Sequence, residues 1–391
     1  MLPAILGGTP RCASPLEIVR PVMPPLEAFA APFSEALAHG QLTNNGPFVQ
    51  RFEAALSEYL NVPAIVFSSG QAALMAMLAA ADIAGGEVIV PSYTFAATPH
   101  AVVWAGAQPV FADILPDSMT LDVDDVARRI TPRTKAILPM CSYGIACDYA
   151  ALDALGVRHG LPVLYDSAPA FGSRVNGKPV GGAGRGQIFS FHATKAFSTM
   201  EGGALSSHDD ELLNRARMLR NFGQHNGPDC PWPGFNGKMM EVCAMIGLLQ
   251  LERFESIRRR RLAVAAAYHA ALSDLPGVRF LIPPAGQEPI WLYYPLVFDA
   301  ELFGLDRDEV ARALAAEGIA ARKYFELPCH HMTCYQPHHK QSLPVTESIA
   351  AHVISLPVYG DQTDAEIAAI TGAIRGFHEY AAQLRMKLQE K

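Results

Sequence analysis

Between residues 64 and 207 the chain alternates short apolar runs with longer amphipathic stretches, and no other feature narrows the fold so much. AIVF (64–67), EVIV (87–90), PVFAD (109–113), KAILPM (135–140), PVLYD (162–166), IFSF (188–191) and GALSS (203–207) read as strands. Helical patterns lie between them at 71–81, 95–105, 123–130 and 149–159. A strand that is apolar along its whole length has both faces covered, so the pattern predicts a mostly parallel, seven-stranded α/β sheet buried between helices. Such a sheet offers its ligand site at the carboxyl ends of its strands.

The flanks read differently. Residues 1–50 are rich in proline and glycine, with one helical stretch at 25–38, and form an arm over a first domain spanning 1–255. A long helical pattern at 240–272 leads into a smaller α+β domain, 256–391, with strand-like 291–299, a helix at 307–317 and a last helix from 364. With half of 391 residues hydrophobic, 18% charged and a formal net charge of −7, the chain is expected to be globular and not to bind nucleic acid. The arginine run at 258–261 reads as a solvated helix face. Seven cysteines without a repeated spacing argue against a disulfide framework, and no apolar run approaches the ~20 residues that span a bilayer. The start, MLPAILGGTPRCA, lacks a basic region before its apolar run, so no signal peptide is expected and a cytoplasmic location is.

Chemistry-bearing residues cluster at the predicted strand ends. Lys195 follows IFSF, where partial burial would make its amine a nucleophile toward carbonyls, although most loop lysines are solvated. In SSGQAAL (68–74) a strand gives way to a helix whose first amides, at Gly70 and Gln71, could hold a phosphate, with Ser190 adding a hydroxyl. The same sequence also reads as an ordinary serine N-cap. Asp166 closes PVLYD; a buried carboxylate needs a cation or donors, and the protonated ring nitrogen of pyridoxal phosphate is such a cation, though a turn aspartate has the same look. Tyr93 and Phe95 could stack on a flat ring or belong to the core.

The ordered motifs LTNNGPFVQRFEAAL, SSGQAAL, EVIVPSYTFAATPHAVVWAGAQPVFADI, DSAPAFG, FSFHATKAFSTMEGGAL, GFNGKMMEVCAMIGLLQL and SLPVYGDQTDAEI resemble the DegT/DnrJ/StrS family of nucleotide-sugar aminotransferases over nearly the whole chain. The resemblance implies the aspartate aminotransferase fold (fold type I), a homodimer and pyridoxal 5'-phosphate. It implies that Lys195 joins the cofactor covalently and acts as general base, that Asp166 pairs with the pyridinium, and that Phe95 stacks on the ring. Gly70, Gln71 and Ser190 would form the phosphate cup, which Asn236 of the neighbouring subunit completes. Family members commonly carry threonine at Gln71, and glutamine or histidine at Pro169. LTNNGP, DSAPAFG and FSFHATK resemble the branch that aminates C4 of dTDP-4-keto-6-deoxyglucose with L-glutamate, releasing 2-oxoglutarate. Amination at C3 of a 3-keto sugar is the alternative; relatives that dehydrate C3 carry histidine in place of Lys195.

For the substrate, His192 could line the sugar pocket, Arg220 and Lys238 could meet a diphosphate, and His330 and His331 of the loop CHHMTCYQPHH (329–339) could contact sugar or nucleotide. No metal is expected, because CHHxxC is not a familiar zinc spacing. GGAGRG (181–186) superficially suggests a dinucleotide site but precedes a strand rather than following one. A cysteine desulfurase using Cys329 or Cys334, or a non-catalytic cofactor-binding regulator, are the remaining alternatives.

Overall fold

The protein is described from a computed structural model covering residues 1–225, 227, 229–336 and 341–389; His338 and His339 of the loop at 329–339 lie outside the described residues. After α1 (Glu27–His39) and α2 (Pro47–Leu60), strand and helix alternate as β1 (Ala64–Phe67), α3 (Gly70–Ala80), β2 (Glu87–Pro91), α4 (Ala97–Trp104) and β3 (Gln108–Ala112). The alternation continues as α5 (Val123–Arg129), β4 (Thr134–Ile137), α6 (Tyr149–His159) and β5 (Leu164–Asp166). A short ribbon, β6 (Arg174–Val175) and β7 (Lys178–Pro179), precedes β8 (Gly186–Ser190), β9 (Gly203–Ser206), α7 (Asp210–Leu219) and α8 (Glu241–Leu272).

The three strands β3-β2-β4 and the four strands β5-β8-β9-β1 meet through parallel bridges at Ile137–Val163 and Met140–Asp166. The apolar runs thus form one seven-stranded sheet, β3-β2-β4-β5-β8-β9-β1, in which β9 runs against both neighbours and the other strands are parallel. Strand periodicity divides each run between two cores. Ile65, Phe67, Val88, Val90 and Ile188 pack against α3, α4 and α7, while Val66, Ile89 and Phe189 face α2, α6 and α8. Glu241, at the start of α8, accepts from the amides of Phe48 (2.7 Å) and Val49 (3.2 Å) and so satisfies the first turn of α2.

The second half of α8 enters another core. There β10 (Val278–Phe280), β12 (Tyr294–Phe298) and β13 (Val353–Leu356) form an antiparallel sheet, while β11 (Gln287–Glu288) pairs with β6. The helices α9 (Ala300–Phe303), α10 (Arg307–Ala316), α11 (Pro344–His352), α12 (Asp364–Glu379) and α13 (Ala381–Gln389) complete it. Two sequence expectations are corrected here. The first residues of the arm, read as part of the large domain, pack on this second core instead. The amides of Ala4 and Arg11 donate to Glu317, Leu16 bridges Ile319, and Ile18 is buried. The arginine run is not one solvated face, because residues three apart on a helix share a side. Arg258 is buried and ion-pairs with the partly exposed side chains of Glu255 and Glu288, and Arg261 donates to the carbonyls of Ile290, Trp291 and Leu292. Among the described residues Cys12, Cys141, Cys147, Cys243, Cys329 and Cys334 form no disulfide, and no helix there is long and apolar enough to cross a membrane.

Candidate active site

The carboxyl ends of β1, β2, β5 and β8 converge on a cavity of about 650 Å3, closed on its other side by Leu292, Tyr293, Arg322, Tyr324 and Phe325 from the second core. Lys195, Asp166, Gly70, Gln71, Phe95, Ser190 and His192 all line it, so the sheet brings together seven of the residues singled out in the sequence.

Asp166 terminates β5 and is 3% exposed. One carboxylate oxygen accepts from the Thr98 hydroxyl (2.7 Å), which also meets Thr94 Oγ1 (2.7 Å); the other accepts from the Ala168 amide (3.0 Å). Burial pushes this carboxyl above its ordinary range, while Thr98, Ala168 and the charge of Lys195 pull it back. Lys195 is half-buried, and desolvation pushes its amine below the usual lysine range against the pull of Asp166. The two groups therefore each lie toward neutrality, as buried opposite charges do when solvent is removed.

The loop that carries Lys195 is held at both ends. Phe191 and Phe197 are buried with their ring centroids 5.0 Å apart, in a cluster with Phe52, Phe171 and Phe254. Burying each ring contributes roughly 1.5–3 kcal/mol. Backbone bonds from Phe191 to Gly202 and from Thr199 to Phe191 close the loop, and the Lys195 amide donates to His192 (2.9 Å).

At the other wall Ser69 caps α3, its hydroxyl accepting from the Ala72 amide (3.1 Å). The amides of Gly70 and Gln71 precede the first intrahelical bond and are available to an anion. Gly70 lies so close to β8 that an added Cβ would stand 2.7 Å from the Cβ of Ser190, so the glycine lets the helix start and the serine hydroxyl share one cup. Phe95 is 63% exposed over the cavity, an apolar face without a covering partner, whereas Tyr93 is fully buried and bonds to Tyr143 and the Tyr324 carbonyl. These features fit pyridoxal 5'-phosphate: a strand-end carboxylate for its ring nitrogen, an aromatic for its face, an amide cup for its phosphate and an amine for its carbonyl carbon.

Other sequence assignments fare differently. His330 and His331 do not line the cavity. His330 is 1% exposed, with Nδ1 2.6 Å from Ser92 Oγ and Nε2 3.3 Å from Glu347. Arg220 is 4% exposed and already spent on Glu53 (2.5 Å), the Val66 carbonyl and Asn45. With Lys238 it lines a separate cavity of about 590 Å3. Asn236 is exposed and outside the first cavity, while its neighbour Gly237 accepts from the Ser68 amide (2.7 Å). Cys329 donates to the Thr94 carbonyl, and burial raises its thiol to about 12; Cys334 is exposed elsewhere, so neither reaches the cavity as a desulfurase nucleophile would. GGAGRG leads into β8 and opens no helix.

Sequence reading missed Tyr143, Tyr293, Tyr324, Arg322 and His100, all of which line the cavity. Tyr143 holds a left-handed backbone (φ 55°), and its hydroxyl joins that of Tyr93 at the Tyr324 carbonyl. Arg322 is exposed and donates to the Tyr324 hydroxyl, and among the described residues no carboxylate pairs with it.

Fold and site together are those of a fold type I, pyridoxal 5'-phosphate-dependent aminotransferase. Residues 26–375 match the DegT/DnrJ/EryC1/StrS aminotransferase family, and the chain belongs to that family. A dTDP-4-amino-4,6-dideoxy-D-glucose transaminase of Shigella dysenteriae is 35% identical over 364 residues, 92% of this chain and 98% of that protein. A GDP-perosamine synthase of Caulobacter vibrioides is 36% identical over 342 residues, 85% and 91% of the two chains. The crystal structure of DesI in the presence of its TDP-sugar product has a TM-score of 0.93 at 37% identity, covering 99% of this chain and 98% of that one.

The coupling between Asp166 and Lys195 can be read directly. Asp166→Asn removes the charge that raises the Lys195 amine, so Lys195 of the cofactor-free variant should titrate at lower pH than in the wild type. The pH dependence of its acylation rate measures this; an unchanged or higher value means the two groups do not interact.

Proposed function

We propose that this aminotransferase moves an amino group from L-glutamate to C4 of a dTDP-linked 4-keto-6-deoxyglucose. The single observation that carries the reading is the Lys195–Asp166 cavity on a chain that matches DesI over 99% of its length. Two relatives, a dTDP-sugar transaminase and a GDP-perosamine synthase, both point to a nucleotide-linked sugar. The base is argued from the dTDP- and TDP-linked members.

When bound, the cofactor supplies an electron sink for the substrate's α-electrons. The chain's own residues do the rest. Asp166, fixed by Thr98 and Ala168, would hold the protonated ring nitrogen of the cofactor. Lys195 Nζ, with its basicity lowered by burial, takes the proton from the donor's α-carbon, and in the second half-reaction returns one to C4 of the sugar. Phe95 would hold the ring's face, and the Gly70 and Gln71 amides with the Ser190 hydroxyl would hold its phosphate, so that these residues orient the group. Arg322, a cation at the cavity with no carboxylate partner among the described residues, takes an anionic group of the substrate in place of Arg220, and His192 lies beside the sugar. Pro169 lines the cavity without a donor, so a hydrogen bond made there by relatives is replaced by apolar contact.

We read the working unit as a cytoplasmic homodimer. Asn236 and Lys238 lie on one loop outside their own cavity, where they can serve the partner's cofactor and nucleotide.

Incubation of cofactor-loaded protein with 15N-glutamate and a panel of nucleotide keto sugars should give a labelled 4-amino sugar from the dTDP-4-keto substrate. Failure of glutamate to change the cofactor's absorbance sinks the reading, and product from 3-keto sugars alone refutes the C4 assignment. Lys195→Ala and Asn236→Ala chains, each nearly inactive, should regain activity when mixed, because one site of the mixed dimer holds both native residues. If mixing restores nothing, Asn236 does not act across the interface.

A further inference from the structure

We propose that His330, His331 and Glu347 form a site for one divalent cation of the zinc class, outside the active-site cavity. His2Glu with an open fourth position is an established donor set for that ion. A tetrahedral zinc with bonds of ~2.0–2.1 Å needs ligand atoms ~3.3 Å apart. His330 Nε2 already stands 3.3 Å from Glu347 Oε1, and His331 Nε2 stands 3.9 Å from the same oxygen. The three ligand atoms all lie within 4.8 Å of one another. The His331 side chain, 47% exposed, is free to rotate over the short remaining distance, while His330 is 1% exposed and fixed.

The surroundings are those of a built site. Ser92 Oγ lies 2.6 Å from His330 Nδ1, which turns Nε2 toward Glu347 and fixes the ring as outer-shell hydrogen bonds fix metal-binding histidines. The Leu343 amide donates to Glu347 Oε1, the oxygen that faces both histidines, and the Ser342 hydroxyl donates to Oε2, so the carboxylate is held in place. The sequence spacing CHHxxC directs attention to cysteines, yet Cys329 is turned to the Thr94 carbonyl and the acid comes from α11.

The cation would join three segments: the end of β2 through Ser92, the loop of residues 329–331, and α11. The Cys329 amide and thiol bond to Ser92 and Thr94, directly before Phe95. The site thus lies behind the segment that presents the exposed aromatic, and its role is to clamp that segment.

Cofactor-loaded protein, stripped with a chelator and titrated with zinc sulfate in a calorimeter, tests this. One zinc per chain is expected in the wild type, with His331→Ala and Glu347→Gln each weakening binding at least about tenfold. Both substitutions are tolerable to the fold, since His331 is half-exposed and glutamine still accepts from the Leu343 amide. Absence of saturable zinc binding, or binding unchanged in either variant, overturns the proposal.

Discussion

A carboxylate buried at the end of a central strand is expensive, and much of this molecule is arranged around meeting that cost at Asp166. Two donors, the Thr98 hydroxyl and the Ala168 amide, satisfy it in part, and Lys195 faces it across the cavity. What remains is a site that favours a further cation beside the carboxylate. A protonated pyridine ring meets that demand, and this is the physical reason for placing cofactor chemistry here rather than at the second cavity.

The scaffold fixes the pair by means that have little to do with charge. Buried rings of Phe191 and Phe197 anchor the loop on both sides of Lys195, so the amine is positioned by apolar packing. The close approach of Gly70 to Ser190 sets the start of α3 against the end of β8. The second core then closes the cavity with Tyr324, whose carbonyl receives two tyrosine hydroxyls from the sheet side. Burial pushes the Tyr143 phenol up to about 12, so these hydroxyls stay protonated and act as donors.

The central sheet and the residues on its strand ends were legible because both signals are local. Continuous apolar runs mark strands buried on both faces; Asp166 and Ser190 end such strands, and Lys195 lies in the loop after one. Tyr143, Tyr293, Tyr324 and Arg322 were not legible, since a tyrosine or arginine outside a motif has no sequence signature until distant segments fold together. The same reason explains the errors. His330 was read as a substrate residue from a dense local run, but its partners Ser92 and Glu347 are remote in sequence. Arg258 and Arg261 were read as solvated because the acids and carbonyls that receive them lie mostly on other elements.

The covalent role proposed for the Lys195 amine can be mapped. Borohydride reduction of the cofactor-loaded protein, followed by digestion and mass spectrometry, should place the fixed cofactor on the peptide containing Lys195 and on no other. Label on a different lysine, or label that persists in Lys195→Ala, would contradict the account.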